Sequence, residues 1–302
     1  MHKGVALKGD LCPWFYKTTG GLDLDTKWLA SLRQLARTAT DAGFLEELRG
    51  NPEKAADWYM DGLRMGDQMR RGVMLQCLVG IALQIIARDS LDRLMANAEL
   101  PADKLRQIRD ASLQAIPKID DVRNAMDREE EWSCAMTGNN FGMQVAKMVS
   151  PYGRSLKAAR RELDTPLWEL SARNQSPAGA KNNPYGALRF QFGRLEAQLR
   201  LTALHAALRL YINEHGAPPD ALEALVPDFL PALPIDPFTG TSLRYVRSKG
   251  DWTAWSVGEN GIDEDGAKAI LDDGAGGIIR VDDISLTSDM KSNLHRRNRG
   301  QP

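Results

Sequence analysis

LRLYINEHG (208–216), PPDALEALVP (218–227), LPIDPFTG (233–240), SLRYVR (242–247), WTAWSVGENGIDEDG (252–266) and VDDIS (281–285) follow one another in that order, and their reading decides the fold. A long amphipathic helix stops at Gly216, and Pro218-Pro219 start a short capped helix. Asp236-Pro237 with Gly240 then make a turn into two strands. The second strand empties into a loop crowded with glycines and carboxylates, Ser256 to Ile284.

Upstream, apolar residues at Leu188, Phe192, Leu195, Leu199, Ala203, Ala206, Leu210 and Tyr211 recur every three or four positions, so the helix ending at Gly216 begins near Tyr185. The stretch before it, NQSPAGAKNNP (174–184), is rich in Pro, Gly, Asn and Ser without apolar periodicity and reads as a linker. Ahead of that, helical spacing dominates. Thr26 to Gly50 is one helix, and Pro52 to about Asp67 is a second, with Pro52 suited to its first turn. The segment GNPEKAADWYMDGLRMG (50–66) resembles the turn and second helix of a tetratricopeptide repeat, but no second copy follows, and an ordinary helical hairpin is the favoured reading.

The next helix, about Gln68 to Ala98, is apolar nearly all round between Val73 and Ala87. That run is shorter than the roughly 18 residues of a bilayer span, so it reads as a core helix, and a charge at Leu78 is expected to prevent folding. Helices follow from Pro101, from about Lys118 to Met136, from Phe141 to Val149 and from Gly153 to Ser171, the last broken near Pro166. The fold class expected is α+β and predominantly helical. It comprises a helical domain over 26–173, then a long helix with a small antiparallel sheet over 185–288.

Bulk composition removes several function classes. With 39 Lys+Arg against 40 Asp+Glu, the 302-residue chain has no bias toward nucleic acid. Cys12, Cys77 and Cys134 form no CxxC pair, and an odd, scattered set reads as packing thiols. His2, His205, His215 and His295 make no HExxH pattern, and His205 reads as a packed or surface residue of the long helix. The acids Asp127, Glu129, Glu130 and Glu131 read as a solvated helix face. Walker A, GxSxG and GxGxxG signatures are absent. The start MHKGVALKGDLCPWF lacks the apolar region of a signal peptide.

The segments from Leu210 to Ser288, in this order, resemble the periplasmic C-terminal domain of the type II secretion major pseudopilin and its relatives. The resemblance covers the last third of the chain. It implies a spine helix on a small sheet and a calcium ion in the loop after the last long strand. Family members carry S-x-G-x-D-G and a later Asp-Ile there. This chain has Ser256, Gly258 and Gly261, Asn260 in place of the Asp, and Asp283-Ile284. The implied ligands are Ser256, Asn260, Asp263, Asp265 and Asp283, oxygen donors of the kind calcium takes. The resemblance further implies a non-enzymatic, envelope-associated structural or interaction protein whose partners belong to a secretion or pilus-like assembly. From the charge balance no nucleic-acid partner is expected, and no transmembrane segment is expected within this sequence. Its place is the periplasmic side of the envelope if an anchor precedes Met1, and the cytoplasm otherwise. The alternatives are an enzyme with its site between the two domains, and a soluble helical adaptor.

Overall fold

The computed structural model describes residues 27–137, 151–172, 184–248, 251–266, 271–272, 278–279 and 283–288. Eight α-helices appear among them: α1 (Lys27–Leu48), α2 (Pro52–Met69), α3 (Met74–Asn97), α4 (Ala102–Gln114), α5 (Ile119–Thr137), α6 (Pro151–Glu162), α7 (Leu167–Ala172) and α8 (Pro184–His215). A 3-10 turn, Leu222–Leu225, stands where Pro218-Pro219 led us to expect a short helix. Three strands, β1 (Arg244–Ser248), β2 (Asp251–Ser256) and β5 (Ile284–Thr287), form an antiparallel sheet in the order β1-β2-β5. Two short strands, β3 (Leu271–Asp272) and β4 (Ile278–Ile279), pair separately. The protein is thus α+β and predominantly helical. The sequence-predicted helix over Phe141 to Val149 and the linker core at 174–183 lie outside the described residues.

Helices α1, α2 and α3 form consecutive hairpins. Helices α2 and α3 approach each other through glycine, because a Cβ on Gly80 would stand 2.6 Å from the Gly66 carbonyl oxygen. The single helix expected from Gln68 to Ala98 is divided: α2 ends at Met69, Arg70 closes it, and α3 starts at Met74. Arg70 explains the break. It is fully buried and donates to Gln84 (2.6 Å), Asp121 (3.0 Å), Asp67 (2.6 Å) and the Ala115 carbonyl (2.9 Å), joining four segments at one guanidinium. A buried charge persists only when paired in this way.

Two hydrophobic clusters occupy opposite faces of α8. Leu188, Phe192, Leu195, Leu199, Ala206 and Leu210 join the core of the helical layer with Leu63, Leu91, Met95, Leu105 and Ile108. Phe190, Ala197, Leu201, Leu204 and Leu208 face Leu225, Phe238, Trp252, Ala254 and Leu286 of the sheet side. Positions 188 and 190 lie about 200° apart on a helix, so each stripe has its own core. The domain division expected between residues 173 and 185 therefore falls just before a helix that both halves share.

Among the described residues only α3 is long and apolar enough to cross a membrane, and it packs into the helical core through Cys77, Ile81, Leu91, Leu94 and Met95. All-round apolarity does not bury all of it. Leu75, Leu78 and Ile86 are exposed, Leu78 by 42%. The expectation that a charge at Leu78 prevents folding is corrected accordingly, because that side chain faces outward.

Candidate functional site

The acidic loop leaves β2 at Ser256 through a chain reversal held by one buried carboxylate. Asp236, only 1% exposed, accepts from the Phe238 amide (2.9 Å), the Ser256 hydroxyl (2.8 Å) and the Val257 amide (3.0 Å). The turn at 236–240 is thereby fastened to the end of β2. Beyond it, Gly258, Gly261 and Gly266 adopt left-handed backbone angles, with φ near 70°, where a Cβ is strained. Gly266 is doubly constrained, since a Cβ would also sit 3.1 Å from the Trp255 ring.

Past these turns the loop closes on Asp283, the residue before β5. Its Oδ2 accepts from the amides of Glu264 (3.1 Å) and Gly266 (2.8 Å), and its own amide donates to Glu264 Oε2 (3.3 Å). Asn260 donates to Glu264 Oε1 (3.1 Å) and accepts from the Ile262 amide (2.9 Å). The other carboxylate oxygen, Asp283 Oδ1, is buried without a hydrogen-bond partner among the described residues. Burial, only partly countered by the two amides, together with the charges of Glu264 and Asp263, pushes the Asp283 carboxyl up to about 6.

The structure brings only part of the sequence-predicted set together. Asn260 and Asp283 converge on Glu264. Ser256 is engaged with Asp236 and the Gly258 amide. Asp263 turns the other way, accepting from Trp255 Nε1 (2.9 Å), the Asp265 amide (3.1 Å) and Arg244 (3.0 Å). Burial raises the Asp263 pKa, but these donors together outweigh it and hold the carboxyl below the usual range. Asp265 is exposed. Glu264 was missed, although the run Asp263-Glu264-Asp265 offered it. Among the described residues no three His, Cys, Asp or Glu side chains meet in a metal-holding group. Asp283 and Glu264 are the two carboxylates that the loop brings together, and carboxylate oxygens are donors of the kind a hard cation takes.

A second constellation lies between α3 and α8. Asp92, fully buried, takes the Arg88 guanidinium and the Thr202 hydroxyl (2.9 Å) on Oδ2 and contacts His205 Nδ1 (3.1 Å) on Oδ1. Arg88 Nε donates to Thr202 (3.2 Å), and the His205 ring meets Trp252 of β2 edge-on at 5.3 Å. Burial raises the Asp92 pKa, but Arg88 and His205 outweigh it and the carboxyl titrates below its ordinary value. The residue types suggest a nucleophile–base–acid triad, yet the connectivity is different. The threonine hydroxyl bonds to the carboxylate and not to the imidazole, so the histidine is not placed to take its proton. The cluster is a brace that ties the helical layer through α8 to the sheet.

Comparison of the chain with protein-family models, with curated proteins and with solved structures returns no match.

Proposed function

We propose that this chain is a non-enzymatic structural or interaction protein, related in its C-terminal part to type II secretion pseudopilins, with the helical layer as its partner-binding face. The observation that carries the reading is where apolar surface is left uncovered. Leu35, Phe44, Leu45 and Leu48 on α1 and Leu75, Leu78 and Ile86 on α3 are each at least 39% exposed. Helices α1 and α3 both pack on α2 and also touch each other, so these side chains belong to one layer. Exposed apolar side chains on helices packed side by side are surface of the kind a protein contact covers. The partner that fits presents an apolar helix, and a component of a secretion or pilus-like assembly is the class the resemblance implies.

The double substitution Leu48→Glu with Leu78→Glu should leave the melting temperature close to wild type, since both side chains are exposed and such surface changes cost within about 0.5 kcal/mol. The same variant, used as bait beside the wild type, should lose its bound partners, whereas Val246→Glu on the exposed edge of β1 should keep them. Equal recovery by all three proteins would refute the assignment.

The acidic loop supports a second, local element of the reading, a calcium ion held by Asp283 and Glu264. Asp283 titrates near 6 in the folded chain against 3.8 when unperturbed, so its contribution to stability is complete below about 3.8 and lost as pH rises through 6. Without cation, Asp283→Asn should therefore match the wild type at pH 4 and become the more stable protein by pH 7. Calcium at pH 7 should raise the wild-type melting temperature by mass action, leave the variant unmoved, and act more strongly than magnesium. A thermal scan without any shift at millimolar calcium would remove the ion from the account.

A further inference from the structure

A cavity of about 410 Å³ opens where the turn before α5, the α6–α7 connection, α8 and the Ile235–Pro237 turn meet. Its size is in the range of small-molecule sites. Three of the exposed large apolar side chains, Ile119, Trp168 and Ile235, stand around it, and Phe192 lies in its wall. Two glycines pack against residues of its wall. A Cβ on Gly193 would come within 2.4 Å of Leu167, and one on Gly240 within 3.0 Å of the Trp168 ring.

The charged groups in the wall are unequally satisfied. Glu196 is held by Arg200 at 2.6 Å, and Asp164 by Arg123 at 3.1 Å, so neither presents a free anion. Arg189 differs. It is 7% exposed and lines the cavity, its two terminal nitrogens donate to the main-chain carbonyls of Glu162 and Thr165, and its buried Nε has no acceptor among the described residues. Among the described residues it makes no ion pair, and burial lowers its pKa against the more distant charges of Glu162 and Asp164. An uncompensated buried guanidinium is costly unless something supplies the counter-charge. At the mouth, Lys118 is exposed, with an ammonium that meets no carboxylate among the described residues.

We propose that this cavity binds a small organic carboxylate with an apolar body, the carboxylate answering Arg189 and Lys118 and the body lying against Trp168, Ile119 and Ile235. The sign of the charge follows from the ledger of pairs. Both acids in the wall already have guanidinium partners, whereas Arg189 and Lys118 make no ion pair among the described residues, so an ammonium ligand would meet repulsion and a neutral alcohol would leave Arg189 without a bonded anion.

The experiment is a calorimetric and thermal-shift titration of the full chain with octanoate, octanol and octylammonium. Octanoate should bind with one-to-one stoichiometry and raise the melting temperature, with the other two weaker by tenfold or more. Lys118→Ala should weaken octanoate by about two- to fivefold, the scale of an exposed ion pair, and Trp168→Ala by about tenfold. Both positions are exposed, so these variants report binding even if Arg189→Met, which should abolish it, proves poorly folded. Equal affinity for octanol would reduce the site to an apolar cavity. Tighter binding of octylammonium would make Glu196 the recognition group, and no binding of any probe would leave the cavity without a ligand. Each of these three results overturns the proposal.

Discussion

Asp92→Ala should lower the stability of the whole chain by about 3–5 kcal/mol, the cost of removing one partner of a buried ion pair and stranding the other. The loss has three parts. Arg88 keeps the exposed Asp89 (3.0 Å) and the Thr202 hydroxyl but loses its buried anion, Thr202 is left with the Gln198 carbonyl (3.2 Å) as acceptor, and His205, which meets Trp252 edge-on, loses its carboxylate contact. Because the brace runs from α3 through α8 to β2, chemical denaturation followed by far-UV dichroism and by tryptophan fluorescence should still give coincident transitions, both shifted. A second variant separates the value of the pair from the penalty of breaking it. Arg88→Met with Asp92→Leu removes both charges and should recover most of the stability, since apolar replacement of a buried pair is often neutral or better. A single substitution that costs less than about 1 kcal/mol would show that the brace is solvated.

Asp236→Ala should cost nearly as much, about 3 kcal/mol or more, for a different reason. No charge is stranded, but the Phe238 and Val257 amides and the Ser256 hydroxyl lose their common acceptor inside the structure. Each unsatisfied buried donor costs about 1–3 kcal/mol. Asp236→Asn retains one carbonyl oxygen and should cost less. Amide hydrogen exchange localises the effect, with faster exchange expected at Phe238 and Val257 and little change in α2 or α3. Uniform acceleration across the helical layer would contradict the assignment of Asp236 to the reversal alone.

These two carboxylates also show how far the sequence could be read. Asp236 was visible as half of an Asp-Pro turn signal, which is local, but its reach to Val257 spans 21 positions and leaves no spacing to recognise. The pairing of Asp92 with His205 spans 113 positions, so a histidine that read as either packed or surface turns out packed, on a partner the sequence kept hidden. Periodicity placed α8 well, because a regular stripe survives any tertiary context. It did not reveal that Phe190, Leu201, Leu204 and Leu208 form a second stripe serving another core. All-round apolarity likewise identified α3 as a core helix, yet could not tell that Leu78 faces outward, since the pattern carries no information on which side neighbours approach. In the acidic loop the residue types were legible and their directions were not. Asp263 is claimed by Arg244 and Trp255, a contact set by the strand register Arg244↔Trp255, and Glu264 takes its place beside Asp283.

The interaction reading gathers these features into one design: buried charges spent on bracing, a sheet locked at its loop, and apolar side chains left standing on α1 and α3. Its most direct test is photo-crosslinking in the native cell, with a photoreactive amino acid placed at Leu78, and at Val246 as the control on the opposite part of the fold. The account predicts one discrete protein adduct from position 78 and none from position 246. Adducts from position 246 alone, or from neither position, would contradict it.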